Sequence, residues 1–536
     1  MQPQKSLKSL ALFLLLLLSG LAWGQRSEAH PLRVAPLPLW TAESNEVEAN
    51  LNQVAFGDVN GDGYADLLAL APDASHPEVA EGLILAWYGG SGGLGEPGTV
   101  ANAAWTAETD QAGAHLSSVT TGDVNGDGYA DVIAASMWYT SGEFNEGIVF
   151  VWLGSSSGLG EPGTKLNAAW QAESNVPVGL FGTALTTGDF NGDGYADLAI
   201  GASSMSNGQS SEGRVFVYFG SSSGLGVNGT PANADWRSES NQASASWGSA
   251  LTTGDFNGDG YADLAIGSAR YDNGQTDEGA VFVYFGSSTG LGANGNPTNA
   301  AWSAQSDQAG ANLGSALANG LLNGDGFADL VIAASAYDDA MVDEPDEGLV
   351  LVYWGASLGL GLPGNPGNAD WSAQSNQESA YLGTALAVGD MNDDGNADLL
   401  VGARWYDAPL TNEGAAFGWF SEGGLGNNGT PGNADWSAYA EQANAWFGNA
   451  VAIGDVLGPG GENLLAVGAP NYGNGEANEG MIWLFPAAPT GCPLATEEDC
   501  EATPTPEPTL FPTPTPSPTL PPSPFYPLYL PLILHP

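Results

Sequence analysis

The stretch DFNGDGYADLAIG, Asp255–Gly267, decides how this chain reads. Oxygen-bearing side chains stand at its first, third, fifth and ninth positions, with glycine at the fourth and sixth. An aliphatic run follows at once. Asn, Asp and Gly break the chain into a tight turn, and the run DLAIG extends it as a short strand. The same nine-residue pattern opens at Asp58, Asp123 and Asp189, with variants at Leu321, Asp390 and Asp455. Successive starts lie 65, 66, 66, 66, 69 and 65 residues apart. A fixed period of this length marks a repeat architecture.

Two further signatures keep the same period. A Trp segment recurs at Trp40, Trp105, Trp170, Trp236, Trp302, Trp371 and Trp436. An apolar segment follows Glu-Gly at Glu81, Glu146, Glu212, Glu278, Glu347, Glu413 and Glu479. In the unit around Asp255, Ser249–Thr253, Asp263–Gly267, Val281–Phe285 and Asp235–Ser240 all read as short strands. Beyond the N-terminal leader no long apolar pattern of helical period occurs. Four short strands in each of seven units predict an all-β, seven-bladed β-propeller, because a sandwich cannot absorb so many strands. The chain opens on a Trp strand and ends on a third-strand segment. Trp40 therefore supplies the outer strand of the last blade, which closes the ring and removes an open edge.

The loops carry the chemistry. Complete sets of candidate ligands are Asp58, Asn60, Asp62, Tyr64 and Asp66; Asp123, Asn125, Asp127, Tyr129 and Asp131; Asp189, Asn191, Asp193, Tyr195 and Asp197; Asp255, Asn257, Asp259, Tyr261 and Asp263; and Asp390, Asn392, Asp394, Asn396 and Asp398. The seventh position contributes its main-chain carbonyl. Alternating oxygen donors round a tight turn suit Ca²⁺, which accepts six to eight oxygens in flexible geometry; Mg²⁺ demands a stricter octahedron. Soft metals would need Cys or His. About five Ca²⁺ sites are expected. The Leu321 loop keeps Asn323, Asp325 and Asp329 and should bind weakly. The Asp455 loop keeps only its first acid and should bind nothing. A helix–loop–helix module is excluded because a β run follows the ninth position directly.

The loops, together with Phe181–Gly182 and Phe447–Gly448 before the first strand and Gly201–Ala202 or Gly468–Ala469–Pro470 after the second, resemble the FG-GAP repeat family, the propeller of integrin α subunits. The resemblance covers roughly residues 39–488. It implies seven blades with Ca²⁺ in the first hairpins, and interaction or adhesion roles. Phe-Gly is replaced by Trp247–Gly248, Leu313–Gly314 and Leu382–Gly383 in other copies. Receptor-type heterodimers are not carried over.

Composition agrees with an exported protein that avoids polyanions. The 536 residues carry 9 Lys and Arg against 61 Asp and Glu, a net charge of −52. Nucleic acid is excluded, since phosphate binding needs clustered cations. Lys5, Lys8 and the run Leu10–Leu18 read as a signal peptide, residues 1–24. A linker, 25–38, leads to the propeller, 39–488. A short segment, 489–502, holds Cys492 and Cys500, expected to pair as a disulfide in an exported chain. Residues 503–524 form a Pro/Thr spacer, and 525–536 an apolar tail too short to span a bilayer. The mature chain is expected to be secreted or attached at the cell surface, without a transmembrane span.

On function, His30, His76, His115 and His535 do not recur and sit in no nucleophile motif. The expectation is a non-enzymatic binding or adhesion module for an extracellular protein or glycan. A lectin-like propeller and a secreted polysaccharide-active enzyme are the alternatives. If the first hairpins hold Ca²⁺ on one face, the loops between second and third strands emerge on the other. Those loops hold Trp138, Tyr139, Tyr271, Tyr337, Trp405, Tyr406 and Tyr472, which form a ligand face or pad the blades.

Overall fold

The structure is a computed structural model that describes residues 37–338, 344–458 and 461–487. The proposed signal peptide, most of the linker and everything from 488 onward, including Cys492 and Cys500, lie outside the described residues.

Seven four-stranded antiparallel sheets form the blades. Blade 4 is representative: Trp247–Gly254, Asp263–Ser268, Ala280–Tyr284 and Trp302–Gln305 pair in sequence order. First strands lie nearest the axis, each against the first strand of the next blade, and the seventh against the first. Blade 7 combines Ala450–Gly454, Leu464–Ala469 and Met481–Pro486 with Trp40–Glu43 from the other end of the chain. Trp40 pairs with Leu484 and Glu43 with Met481. Ring closure is therefore as the order of signatures predicts.

Alternation along a strand explains why the second and third strands, beyond the Asp that opens six of the second strands, are almost wholly apolar. In blade 1, Leu68, Leu70 and Ile84 face blade 2, whereas Leu67, Ala69 and Leu85 face blade 7. Both faces of each blade are core, and seven apolar clusters fill the seven seams. Truncating such a leucine to alanine costs about 2–5 kcal/mol.

The Trp signature is structural. Trp40 meets Trp87 of the next blade edge-on at 5.3 Å, and Trp236 meets Tyr284 at 5.1 Å. The indole N–H of Trp40 donates to the Glu96 carbonyl at 2.8 Å, and that of Trp236 to Ala293 at 2.9 Å. An edge-to-face pair with a satisfied N–H makes a peripheral clasp for each seam. Near the axis, the first strands end on a ring of glycines. A Cβ at Gly57 would lie 2.8 Å from Thr121, and one at Gly454 only 2.4 Å from Phe56. The blades approach too closely there for any side chain on both partners.

Candidate functional site

Each Asp loop joins the first and second strands of its blade, so all seven lie on one face. In blade 1, Asp58 Oδ1 accepts hydrogen bonds from the N–H groups of Gly61 (2.6 Å) and Asp62 (3.1 Å), and Oδ2 from Gly63 (2.9 Å). Asn60 accepts from Asp62, and Asp62 from Tyr64. Asp66 begins the second strand and is fully buried, accepting from Val59 at 2.9 Å and Gly89 at 2.8 Å. Gly63 takes the left-handed φ of +87° that the turn requires. The first-, fifth- and ninth-position bonds repeat at Asp123 and Asp131, at Asp189 and Asp197, and at Asp255 and Asp263. Asp390 and Asp398 keep most of them.

Burial pushes the Asp66 carboxyl up to about 7; the two N–H donors oppose this, and the Asp62 and Asp58 charges add to it. Asp131, Asp197 and Asp263 behave alike. No loop Asp joins any of the four ion pairs among the described residues. Three neighbouring carboxylates without a protein cation fit a bound divalent ion. Among the described residues, no three acids, His or Cys are gathered tightly enough to hold a metal alone. The Asn oxygens and the seventh-position carbonyls are therefore needed to complete any shell. With oxygen as the sole donor type, the set suits Ca²⁺.

The loops also touch one another. The Ala130 N–H donates to the Asp58 carbonyl at 2.9 Å, Ala196 to Asp123 and Ala262 to Asp189 at 3.0 Å, and Ala65 to Asp455 at 2.8 Å. The Tyr129 ring covers Gly61, Tyr195 covers Gly126, Tyr261 covers Gly192 and Tyr64 covers Gly458; a Cβ at each glycine would meet a ring carbon at 2.5 Å. The glycine at position four thus serves the neighbouring aromatic. Where the next blade has Gly461 instead of a ring, the fourth position is Asp393, and the Asn463 amide from the ninth position of that blade's loop donates to it at 3.4 Å.

The two degenerate loops differ as expected in composition. Leu321 is 47% exposed, and Asp329 accepts from Asn323 at 3.1 Å and Gly355 at 2.9 Å. Asp455 Oδ1 is buried with no hydrogen-bond partner, while the Asp455 carbonyl accepts from the Ala65 N–H of blade 1.

On the opposite face, five of the seven aromatics chosen from the sequence pad their own blades. Tyr139 meets Phe150, Tyr271 meets Phe282, Tyr406 meets Phe417 and Tyr472 meets Trp483 at 4.9–6.0 Å. Tyr337 packs against the blade 4–5 seam. Trp138 is 40% exposed and stands edge-on to His115 at 4.7 Å. Trp405 stands beside Tyr381, Arg404 and Trp446, three residues that sequence reasoning did not select.

That reasoning also assigned no role to the Glu of Glu-Gly. All seven are buried. Glu81 accepts from the His76 and Glu78 N–H groups at 2.9 Å, and Glu146 and Glu278 clamp the same loop in their blades. A charge repeated seven times before a fully apolar strand was the available signal.

The fold and the loops together define a class: a β-propeller of FG-GAP repeats. The FG-GAP repeat profile matches residues 50–94, 115–152, 181–218, 247–284 and 382–419. The two units without a match are those with the Leu321 and Asp455 loops. The chain is an FG-GAP repeat protein whose propeller resembles that of integrin α subunits. Phosphatidylinositol-glycan-specific phospholipase D of Homo sapiens is 31% identical over 321 residues, 56% of this chain and 36% of that protein. The Mus musculus protein of the same name is 37% identical over 169 residues, 31% of this chain and 20% of its own length. Integrin alpha-PS2 of Drosophila melanogaster is 35% identical over 157 residues, 28% of this chain and 11% of its own. The matched stretches span only about a third or less of these relatives.

These relatives correct one expectation. From its sequence the chain is expected to be non-enzymatic, because its histidines form no recognisable constellation. Several of its relatives carry the name of an enzyme. The lack of a familiar motif was not sufficient ground, since separations between carboxylates cannot be read from a linear sequence.

Proposed function

We propose that this propeller is a calcium-stiffened recognition module working outside the cell, with the loop face holding Ca²⁺ and the opposite face meeting an extracellular protein or glycan. The observation that carries the reading is the loop face itself: five loops, each with at least three Asp and no protein cation paired with them. Export is supported by the charged start and apolar run of residues 1–24. Among the described residues no helix is long and apolar enough to cross a membrane.

Calorimetric titration of the full chain with Ca²⁺ tests it, together with melting in chelator. About five ions should be taken up, at affinities around 10⁻⁴–10⁻³ M as in other extracellular modules. Ligand bound only by the folded state raises Tm by mass action. No uptake, or a melting curve indifferent to chelator, removes the calcium reading.

A second reading rests on the relatives' printed name: the chain takes part in a phospholipase activity on phosphatidylinositol-glycans. Release of a glycan-anchored reporter from vesicles by the purified chain would support it.

A further inference from the structure

We propose that Tyr381, Arg404, Trp405 and Trp446 form a binding site for an anionic sugar unit on the face opposite the Asp loops, at the seam of blades 6 and 7. The assignment rests on the recognition reading above and names its ligand class.

The backbone supplies the first argument. One repeat position, one to four residues ahead of the first strand, is left-handed in every blade: Asn50, His115, Leu180, Ser246, Asn312, Tyr381 and Trp446 have φ between 48° and 62°. Asn and His are the residues here that tolerate this region, whereas Ser, Leu and bulky aromatic residues are strained there. Blade 3 has a lone Leu180 at it, whereas blades 6 and 7 place bulky aromatics, Tyr381 and Trp446, at two neighbouring copies. Strain kept at neighbouring positions marks function when packing does not demand it. Neither ring is fully buried.

Arg404 supplies the second. It is one of nine cations in a chain with 61 acids. Yet it makes no ion pair and no hydrogen bond among the described residues. Its guanidinium lies 5.1 Å from the Trp405 ring centre and 5.7 Å from that of Tyr381. Its Nε and the Trp405 indole N–H are both without an acceptor. The rings hold the fork in place and leave its donors unspent, the arrangement in which Arg recognises a planar anion.

The surroundings favour a sugar over a peptide. Tyr381 stands edge-on to Trp405 at 4.7 Å, and Trp446 tilts towards Trp405 at 6.0 Å. Beside Trp446, the Asn412 amide donates to the Asn444 side chain at 3.3 Å, and Asn444 is exposed. Aromatic faces match the C–H face of a pyranose, amides match hydroxyl pairs, and the guanidinium matches a carboxylate or sulfate. Of the exposed large apolar residues, this loop contributes only Leu410, too little for a protein-binding core.

The test uses the full chain in Ca²⁺, titrated with an oligogalacturonate, a sulfated oligosaccharide, a neutral oligosaccharide of equal length and a polyglutamate peptide. An anionic oligosaccharide should bind, and the preferred one identifies carboxylate or sulfate as the group read. Arg404→Gln should weaken it roughly ten- to a hundredfold. Arg404→Lys should restore part of the loss, and Trp446→Ala should weaken binding with an unchanged Ca²⁺ titration. Wild-type affinity in Arg404→Gln, preference for polyglutamate, or no anionic sugar bound by a chain whose Tm answers to Ca²⁺ would each overturn the assignment. Sugar binding by a chain that takes up no Ca²⁺ would instead uphold the site and remove the calcium reading.

Discussion

The two faces of this propeller are built from the same repeat and treat it differently. On the loop face, Asp58, Asp123, Asp189 and Asp255 are interchangeable in their bonds and in the carbonyls through which successive loops are joined. On the opposite face the buried Glu clamps repeat, but the residue two beyond the second strand does not: it is Asp73, Trp138, Ser204, Arg270, Ala336, Trp405 or Asn471. A uniform face serves a requirement shared by every blade. A face that repeats its scaffold and varies its exposed side chains serves recognition, where individual residues decide the partner.

Removing residues 39–45 should have the largest effect, because it opens blade 7 and unseats both faces at once. Calorimetry should show the whole cooperative transition lowered or lost, whereas truncation after Cys500 should leave Tm nearly unchanged. If both truncations behave alike, the shared last blade is not what holds the ring.

Chelation comes next and acts on one face only. Tm should fall substantially in chelator, and Mg²⁺ should restore it poorly because it resists this flexible shell. The loop face then divides further. Asp193→Ala should abolish one bound ion and cost about 0.5–1.5 kcal/mol through the lost bond from the Tyr195 N–H. Asp455→Ala should leave bound calcium unchanged, since its loop lacks the other ligands. Equal loss from both variants would mean that loop composition does not set occupancy.

On the opposite face, Trp446→Ala should shift stability by no more than about 1 kcal/mol, since it lies outside the seam cores. A large drop in Tm would make it a packing residue and would erase the contrast between faces.

The smallest effect concerns the clamps. Burial raises the Glu413 carboxyl above its ordinary value. An acid with a raised folded pKa holds its proton more tightly in the fold, so its contribution to stability falls as pH rises from the ordinary carboxylate range through the raised value. Glu413→Gln should flatten that slope in calorimetric melts from pH 4 upward; an unchanged slope would assign it elsewhere.

The sequence by itself determined the blade count, the order of strands and the closure by Trp40. Each depends on period and order, which a linear chain displays directly. It also displayed the oxygen donors of five loops, because ligands that share one turn are neighbours in sequence. The tertiary structure alone decided which aromatics are open and which are padding. Tyr139 and Trp138 are adjacent in sequence, yet one faces a seam and the other solvent. It alone joined Tyr381, Arg404, Trp405 and Trp446, which come from two blades and three chain segments. The ring of loops is likewise tertiary: the partner of Gly61 is Tyr129 in the next blade, a distance in sequence that no local pattern spans. Contacts within a turn are written in spacing, whereas contacts between blades exist only once the ring has closed.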